Sequence, residues 1–277
     1  MTEEETNIMS DPLVIYHGAC RDGFCAAWCV WRKFPHAEFF EGHYGNPPPD
    51  VKGRAVVMVD FSYPRATLER IAADAASLLV LDHHKTAEED LRGFTAPNAT
   101  IVFDMERSGA GIAWDHFWAP SPRPWLVDYI EDRDLWRHRL PNGPAVNAYI
   151  GTFRFDFEAF YKASRLDVDE VARLGLAVED KIRQYIAEVS KNARRGRFEG
   201  HDVPVVNAPQ VDISELVGFL AAGEPLAVGW WQRGDGMFCY SLRSKGDVDV
   251  SELAKRHGGG GHKNAAGFQS PALLSFA

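Results

Sequence analysis

Four short segments concentrate the residue types that do chemistry: 17–23 with His17, Cys20 and Asp22, 59–62 with Asp60 and Ser62, 82–85 with Asp82, His83 and His84, and 131–136 with Asp132 and Asp134. Carboxylates mixed with imidazoles suit Mn²⁺, Mg²⁺, Fe²⁺ or Co²⁺ better than a structural zinc, which would want paired cysteines. Each segment alone also has a plainer explanation. Asp60 could cap the helix expected after it, and Asp22-Gly23 could be a turn. Asp132 and Asp134 could pair with Arg133 and Arg137 on a helix surface. Two histidines in succession after a carboxylate, at the end of an apolar run, are harder to read as a polar loop. The joint recurrence of Asp and His at strand ends favours a metal site.

The elements that would position these groups alternate. Leu13–Tyr16, Glu38–Phe40, Ala55–Val59, Leu78–Leu81 and Thr100–Phe103 read as strands, with helices over Ala26–Phe34 and Tyr63–Ala76. The proline tract 47–49 is a loop, because proline blocks both ladder and helix. Strands that are apolar throughout and alternate with helices predict an α/β fold, a parallel sheet with helices on both faces. In such sheets ligands collect at the carboxyl ends of the strands, where His17, Asp60 and Asp82 stand. From Asp167 to about Arg195 apolar residues recur at steps of three and four (Val171, Leu174, Val178, Ile182, Ile186, Val189, Ala193), which predicts a long connecting helix. A smaller mixed α/β region follows, with strands over Val203–Val206, Leu226–Trp231 and Met237–Leu242 and a helix over Ile213–Ala221. The expected organisation is a disordered acidic N-terminus over 1–11, a catalytic domain over 12–166, a connecting helix over 167–197 and a substrate-binding domain over 198–277.

The chain has 277 residues, 45% of them hydrophobic, and a formal net charge of −9. That composition is globular. The acidity argues against a coat for duplex DNA, which needs a basic surface. It permits a metal-dependent site for small phosphorylated ligands, since bound ions reverse the local sign. No apolar run is long enough for a membrane helix, and the N-terminus lacks a signal-peptide pattern, so a cytoplasmic protein is expected. The cysteines, at 20, 25, 29 and 239, do not form a secreted disulfide framework.

The tail differs from the rest. From Ser241 onward, Arg243, Lys245, Lys255, Arg256 and Lys263 outweigh Asp247, Asp249 and Glu252. The run Gly258–Gly261 precedes His262 and Lys263. Glycines let a backbone approach a phosphate closely with its N–H groups pointing at it. The run is no P-loop, because Asn264 rather than Ser or Thr follows the lysine. Arg243, Gly259, Gly260, Gly261, His262 and Lys263 are therefore the expected anion-binding residues. Trp230, Trp231, Phe238 and Tyr240 could stack on bases, although alternation along a strand gives about half of them to the core. Trp136 and His138 are further candidates for contacts near the site.

Asp82-His83-His84 matches the motif that names the DHH phosphoesterase superfamily. The run 258–268 and Ser241–Ser244 resemble the DHHA1 domain of one of its branches. The resemblance extends from about Leu13 to Phe268 and implies two divalent ions, commonly Mn²⁺, between a DHH and a DHHA1 domain. It assigns His17 and Asp60 to the first ion and Asp22, Asp60, His83 and Asp132 to the second, with Asp60 bridging. Asp134 is the alternative to Asp132, whose distance to the following Leu-Trp pair fits the family pattern better. By the same resemblance Asp82 orients the adjacent histidine and His84 faces the scissile phosphate. The family usually has an aspartate where Cys20 stands, a softer partner for Mn²⁺. Homodimers are common in the family.

The activity so implied is a hydrolase acting on phosphodiester or phosphomonoester bonds of short nucleotides: di- or oligoribonucleotides, linearised or cyclic dinucleotides, or nucleoside bisphosphates. Two ions roughly 3.5–4 Å apart would generate a bridging hydroxide near neutral pH, which attacks phosphorus in line. An exopolyphosphatase or pyrophosphatase with the same core is the alternative enzyme. A nucleotide-binding module weakened by Cys20 is the alternative of another class.

Overall fold

The structure is a computed structural model that describes residues 11–276. All but Asp11 of the segment expected to be disordered lies outside the described residues. The chain divides into two compact units, the first ending at Leu176 and the second beginning at Ala177.

The first unit opens with β1 (Leu13–His17), α1 (Arg21–Trp31), β2 (Glu38–Gly42), β3 (Ala55–Val59), α2 (Arg65–Asp74), β4 (Ser77–Asp82), α3 (Lys85–Asp90) and β5 (Ala99–Phe103). The strands pair in parallel in the order β2-β1-β3-β4-β5. Leu13, Ile15, Val56, Met58 and Val80 turn to one face and pack with Leu68 and Ile71 of α2. Val14, Tyr16, Val57, Val59 and Leu81 turn to the other. Both faces are thus buried, which is why these strands lack polar alternation. The order reverses between β1 and β3, so the crevice at their carboxyl ends is the topological switch point. His17 closes β1 and Asp60 follows β3 directly, on its two sides.

Helices α4 (Gly109–Trp118), α5 (Trp125–Asp134), α6 (Gly143–Ile150) and α7 (Phe157–Ala163) complete the unit. Cys25 and Cys29 are fully buried in the core that α1 shares with α4. Helix α1 begins at Arg21, not at Ala26, so Asp22 and Gly23 are helical rather than a turn. Asp22 lies in the first turn, where the helix dipole favours a carboxylate. A Cβ at Gly23 would fall 2.3 Å from the His17 carbonyl oxygen, so glycine lets the helix pass this close to β1.

Helix α8 (Val168–Val189) carries the boundary between the units. It is shorter than its apolar period suggests. A 3₁₀ turn ends it, and Arg194–Phe198 is strand β6, paired antiparallel with β7 (His201–Asn207). Glu199 (φ 47°) and Gly200 (φ 82°) form a tight two-residue connection whose positive φ values suit a hairpin. Helix α9 (Ile213–Leu220), β8 (Ala227–Gln232), β9 (Phe238–Arg243), α10 (Val250–Arg256), β10 (Gly260–His262) and β11 (Ala265–Ser270) complete a six-stranded mixed sheet, β10-β11-β9-β8-β7-β6. The expected two-unit α/β architecture is what the chain adopts.

Candidate metal centre

The carboxyl ends of β1, β3 and β4 bring together residues from three of the four chemical segments. Asp60 takes a left-handed backbone (φ 54°) immediately after β3 while its N–H still donates to the Leu81 carbonyl at 2.9 Å. Aspartate tolerates that conformation better than most residues. Its carboxylate lies between two histidines: Oδ1 is 2.9 Å from His83 Nε2 and Oδ2 is 3.4 Å from His17 Nδ1. His83 Nε2 is also 3.5 Å from Asp22 Oδ2 and 3.6 Å from Asp134 Oδ2.

Within the first unit, two sets of three described side chains have the spacing to hold an ion, His17 with Asp60 and His84, and Asp22 with Asp60 and His83. Asp60 belongs to both. Asp22, Asp60 and His83 are exposed by no more than 2%, 1% and 1%. Asp60 Oδ2, Asp134 Oδ2 and His17 Nδ1 are buried with no hydrogen-bond partner among the described residues. Uncompensated buried carboxylates are costly, and a cation removes the cost. Burial and the charges of Asp60 and Asp134 push the Asp22 carboxyl well above its ordinary range. Burial also raises Asp134, and the Asp60 charge adds to it. Burial opposes ionisation of Asp60 as well, but the adjacent His17 and His83 imidazoles outweigh it and hold that carboxyl well below the ordinary value. Oxygen and imidazole donors with orphaned buried acceptors fit hard or borderline divalent ions.

Asp82, at 0% exposure, serves the histidines that follow it. Its Oδ1 accepts the His83 backbone N–H at 2.7 Å and stands 2.8 Å from His84 Nδ1. Its Oδ2 accepts the Ser62 hydroxyl at 2.8 Å.

The fourth segment needs a correction. Asp134, not Asp132, stands beside His83. Both oxygens of Asp132 accept the Arg139 N–H, at 2.9 and 3.0 Å, and Oδ2 also accepts that of Leu140 at 3.2 Å. Asp132 therefore ties down the loop that leaves α5, where Trp136 and His138 both have positive φ. Cys20 precedes α1 and belongs to neither ion-holding set. It lines a cavity of about 30 Å³ with Asp22, Asp134 and Asn147. Burial and the charges of Asp60 and Asp134 push its thiol well up, against thiolate formation.

One part of the centre carries no signal in its side chains. The Gly109 and Ala110 N–H groups, at the start of α4, donate to Asp22 at 2.6 and 3.0 Å. The Ser108 N–H donates to Glu131 Oε2 at 3.0 Å, and Arg123 anchors Glu131 Oε1 at 3.0 Å. A Cβ on Gly109 would lie 2.4 Å from the Asp60 Cβ, and one on Gly111 would lie 2.0 Å from Glu131 Oε2. Ser108–Gly111 is thus a backbone cradle for two carboxylates. A Ser-Gly-Ala-Gly stretch before a helical pattern is the only trace it leaves in the sequence.

The expected anion-binding residues all lie in the second unit. The glycine run is not a free loop: Gly260 and Gly261 form β10 and pair with Gly267 and Ala266. Gly259 is required by close approach, since a Cβ there would meet the Gly267 carbonyl at 2.1 Å. His262 ends β10, and the Lys263 carbonyl accepts the Val250 N–H at 2.8 Å. Arg243 ends β9 and donates to Ser214 Oγ at 2.7 Å. Tyr240 is a core residue stacked 4.5 Å from Phe268, whereas Trp230 and Trp231 remain partly exposed.

Residues 204–276 match the model of the DHHA1 domain. An uncharacterized protein of Acanthamoeba polyphaga mimivirus is 29% identical over 92% of this chain and 66% of its own length. The cyclic-di-AMP phosphodiesterase GdpP of Geobacillus thermodenitrificans is 23% identical over 77% of this chain and 33% of its own. The chain thus spans under two thirds of the length of either curated relative. Among solved structures, an exopolyphosphatase-related protein from Bacteroides fragilis shares the fold, with a TM-score of 0.50 at 13% identity, over 96% of this chain and 89% of that one. The second unit of the chain thus matches a DHHA1 domain, and it follows a parallel-sheet unit that carries Asp82-His83-His84 at the carboxyl end of β4.

Proposed function

We propose that the chain is a divalent-metal-dependent phosphoesterase acting on short nucleotides. The observation that carries this reading is Asp60, one buried carboxylate common to two sets of ion-holding side chains. The likeness to a cyclic-di-AMP phosphodiesterase supports the substrate class. His17 and Asp60, with His84 in reach, would hold one ion. Asp22, Asp60, His83 and Asp134 would hold the other, and Mn²⁺ suits these donors. When bound, such ions activate water near neutral pH and neutralise phosphoryl charge. The chain's own groups do the rest. Asp82 fixes the rotation of His84, and with it the direction from which the imidazole would meet a phosphoryl oxygen. The Ser108–Gly111 backbone keeps Asp22 in place without a competing side chain. In the second unit Arg243, His262 and Lys263 are the groups proposed to bind the substrate's remaining negative charge. No covalent nucleophile is needed.

The test is a panel of dinucleotides, cyclic dinucleotides, nucleoside bisphosphates and polyphosphate assayed with Mn²⁺, before and after chelation. Chelator-sensitive hydrolysis of a nucleotide, abolished by Asp60→Ala, is the expected result. Preferential cleavage of polyphosphate would move the reading to an exopolyphosphatase. Full activity of the Asp60 variant would overturn it.

A further inference from the structure

Tyr44 has no part in holding ions, yet it stands against the residues that do. It follows β2 at the carboxyl edge of the parallel sheet. Its ring centroid is 5.5 Å from His17, 4.9 Å from Phe61 and 6.4 Å from His84. Phe61 beside it is fully buried, as a packing residue should be, whereas Tyr44 is 47% exposed. An aromatic kept only for packing would be covered as Phe61 is.

The loop bearing Tyr44 is held in place. The Gly18 N–H donates to the Gly42 carbonyl at 2.9 Å, and the Asn46 N–H to the His43 carbonyl at 3.1 Å. The His43 ring fills the space over Gly18, where a Cβ would fall 2.4 Å from His43 Cε1. Gly45 (φ +87°) takes the left-handed turn that comes next, and the proline tract 47–49 continues the chain. A half-exposed aromatic fixed beside a phosphate-handling centre has the properties of a stacking platform: every base offers a π-face, and a fixed ring loses little entropy on binding.

We infer that Tyr44 stacks on a nucleobase next to the scissile phosphate, so that the site selects nucleotides over base-free phosphate chains. This rests on the phosphoesterase reading above. Stacking discriminates poorly between bases, so the preference is for a base rather than for one particular base.

The test compares a diribonucleotide with its abasic counterpart, using Mn²⁺-loaded protein. Tyr44→Ala is expected to raise KM for the dinucleotide about tenfold, the size of one lost stacking contact, with kcat little changed. Hydrolysis of the abasic compound should be unchanged, Tyr44→Phe should behave like the unsubstituted protein, and the melting curves should coincide. Equal losses on both substrates, or failure of Phe to restore the dinucleotide KM, would overturn the inference. Equilibrium binding of a phosphorothioate dinucleotide reads it without turnover. Weaker binding by Tyr44→Ala alone supports it even if no substrate is cleaved, which would sink only the phosphoesterase reading. Equal affinity of the two proteins overturns it.

Discussion

Asp22 and Gly109 are 87 residues apart in sequence, yet the carboxylate of one accepts the backbone N–H of the other at 2.6 Å. A helix N-terminus satisfies a buried acid here, so no cationic side chain has to enter the centre and compete with an ion. The same glycine also lies against Asp60, with no room for a Cβ.

Gly109→Ala is therefore expected to act on two carboxylates at once. The added methyl must displace Asp60 or the start of α4, and either shift loosens Asp22. Mn²⁺ affinity, measured by titration calorimetry, should fall by about 10–100-fold, the usual cost of disturbing groups that orient ligands. Overpacking should cost a further ~1–3 kcal/mol of stability. An unchanged Mn²⁺ isotherm would show that the cradle does not position Asp22.

Asp132 and Asp134 should separate cleanly when each is changed to Asn. Asp134→Asn is expected to lose Mn²⁺ binding and hydrolysis while the metal-free protein melts no lower, since a carboxylate whose Oδ2 is buried without a hydrogen bond is removed. Asp132→Asn replaces the acceptor of the Arg139 and Leu140 N–H groups. It should cost about 1–3 kcal/mol of stability by denaturant melt. Metal loss in Asp132→Asn at unchanged stability would reverse the assignment.

That pair also marks where the sequence ceases to be legible. Residues two apart on a helix lie about 200° around its axis, so only one of the two can face a given site. Which one depends on how α5 is rotated in the fold, and no local pattern records that. Asp60 and Asp82-His83-His84 were legible because apolar runs stop at them, and a buried parallel strand delivers the residues after it to the sheet edge. The Ser108–Gly111 cradle was not, since it works through backbone N–H groups that every residue but proline has. Arg194–Phe198 read as helix because apolar spacing extends to Ala193, whereas pairing with β7 decides its conformation. The Glu199-Gly200 turn that permits the pairing is a weaker signal than Asn-Gly or Asp-Gly.

Away from the centre, Asp115 should make stability depend on acid pH. Partial burial opposes its ionisation, but hydrogen bonds from Arg123 and Arg107 prevail and hold the carboxyl below its ordinary value. A depressed native pKa means that its stabilisation is complete above the unfolded-state value near 4 and is lost as pH falls through the native value. The site is partly exposed, so about 1 kcal/mol is the expected size. Asp115→Asn should lower the urea midpoint at pH 7 and have a smaller effect at pH 3. An effect that grows on acidification would contradict the sign.

The oxygens of Asp82 divide the work between Ser62 on one side and His83 and His84 on the other, which allows the two roles to be tested apart. In Asp82→Asn the amide can no longer accept at every contact, because one of its two positions becomes an NH₂ donor. If Oδ1 becomes the donor, it opposes both the His83 N–H and a protonated His84 Nδ1; if Oδ2 does, it faces the Ser62 hydroxyl. Either way the neutral amide holds His83 and His84 less firmly than the carboxylate does. The expected result is a large fall in kcat with little change in substrate KM, because His84 is then held less firmly in its rotation while the shape of the site is unchanged. Ser62→Ala removes a single donor to Oδ2 and leaves the His84 contact intact. It should cost about 1 kcal/mol of stability and leave kcat within a few-fold of the unsubstituted protein. If Ser62→Ala reduced kcat as much as Asp82→Asn, the serine would be acting on the reaction itself, and orientation of His84 would no longer account for Asp82.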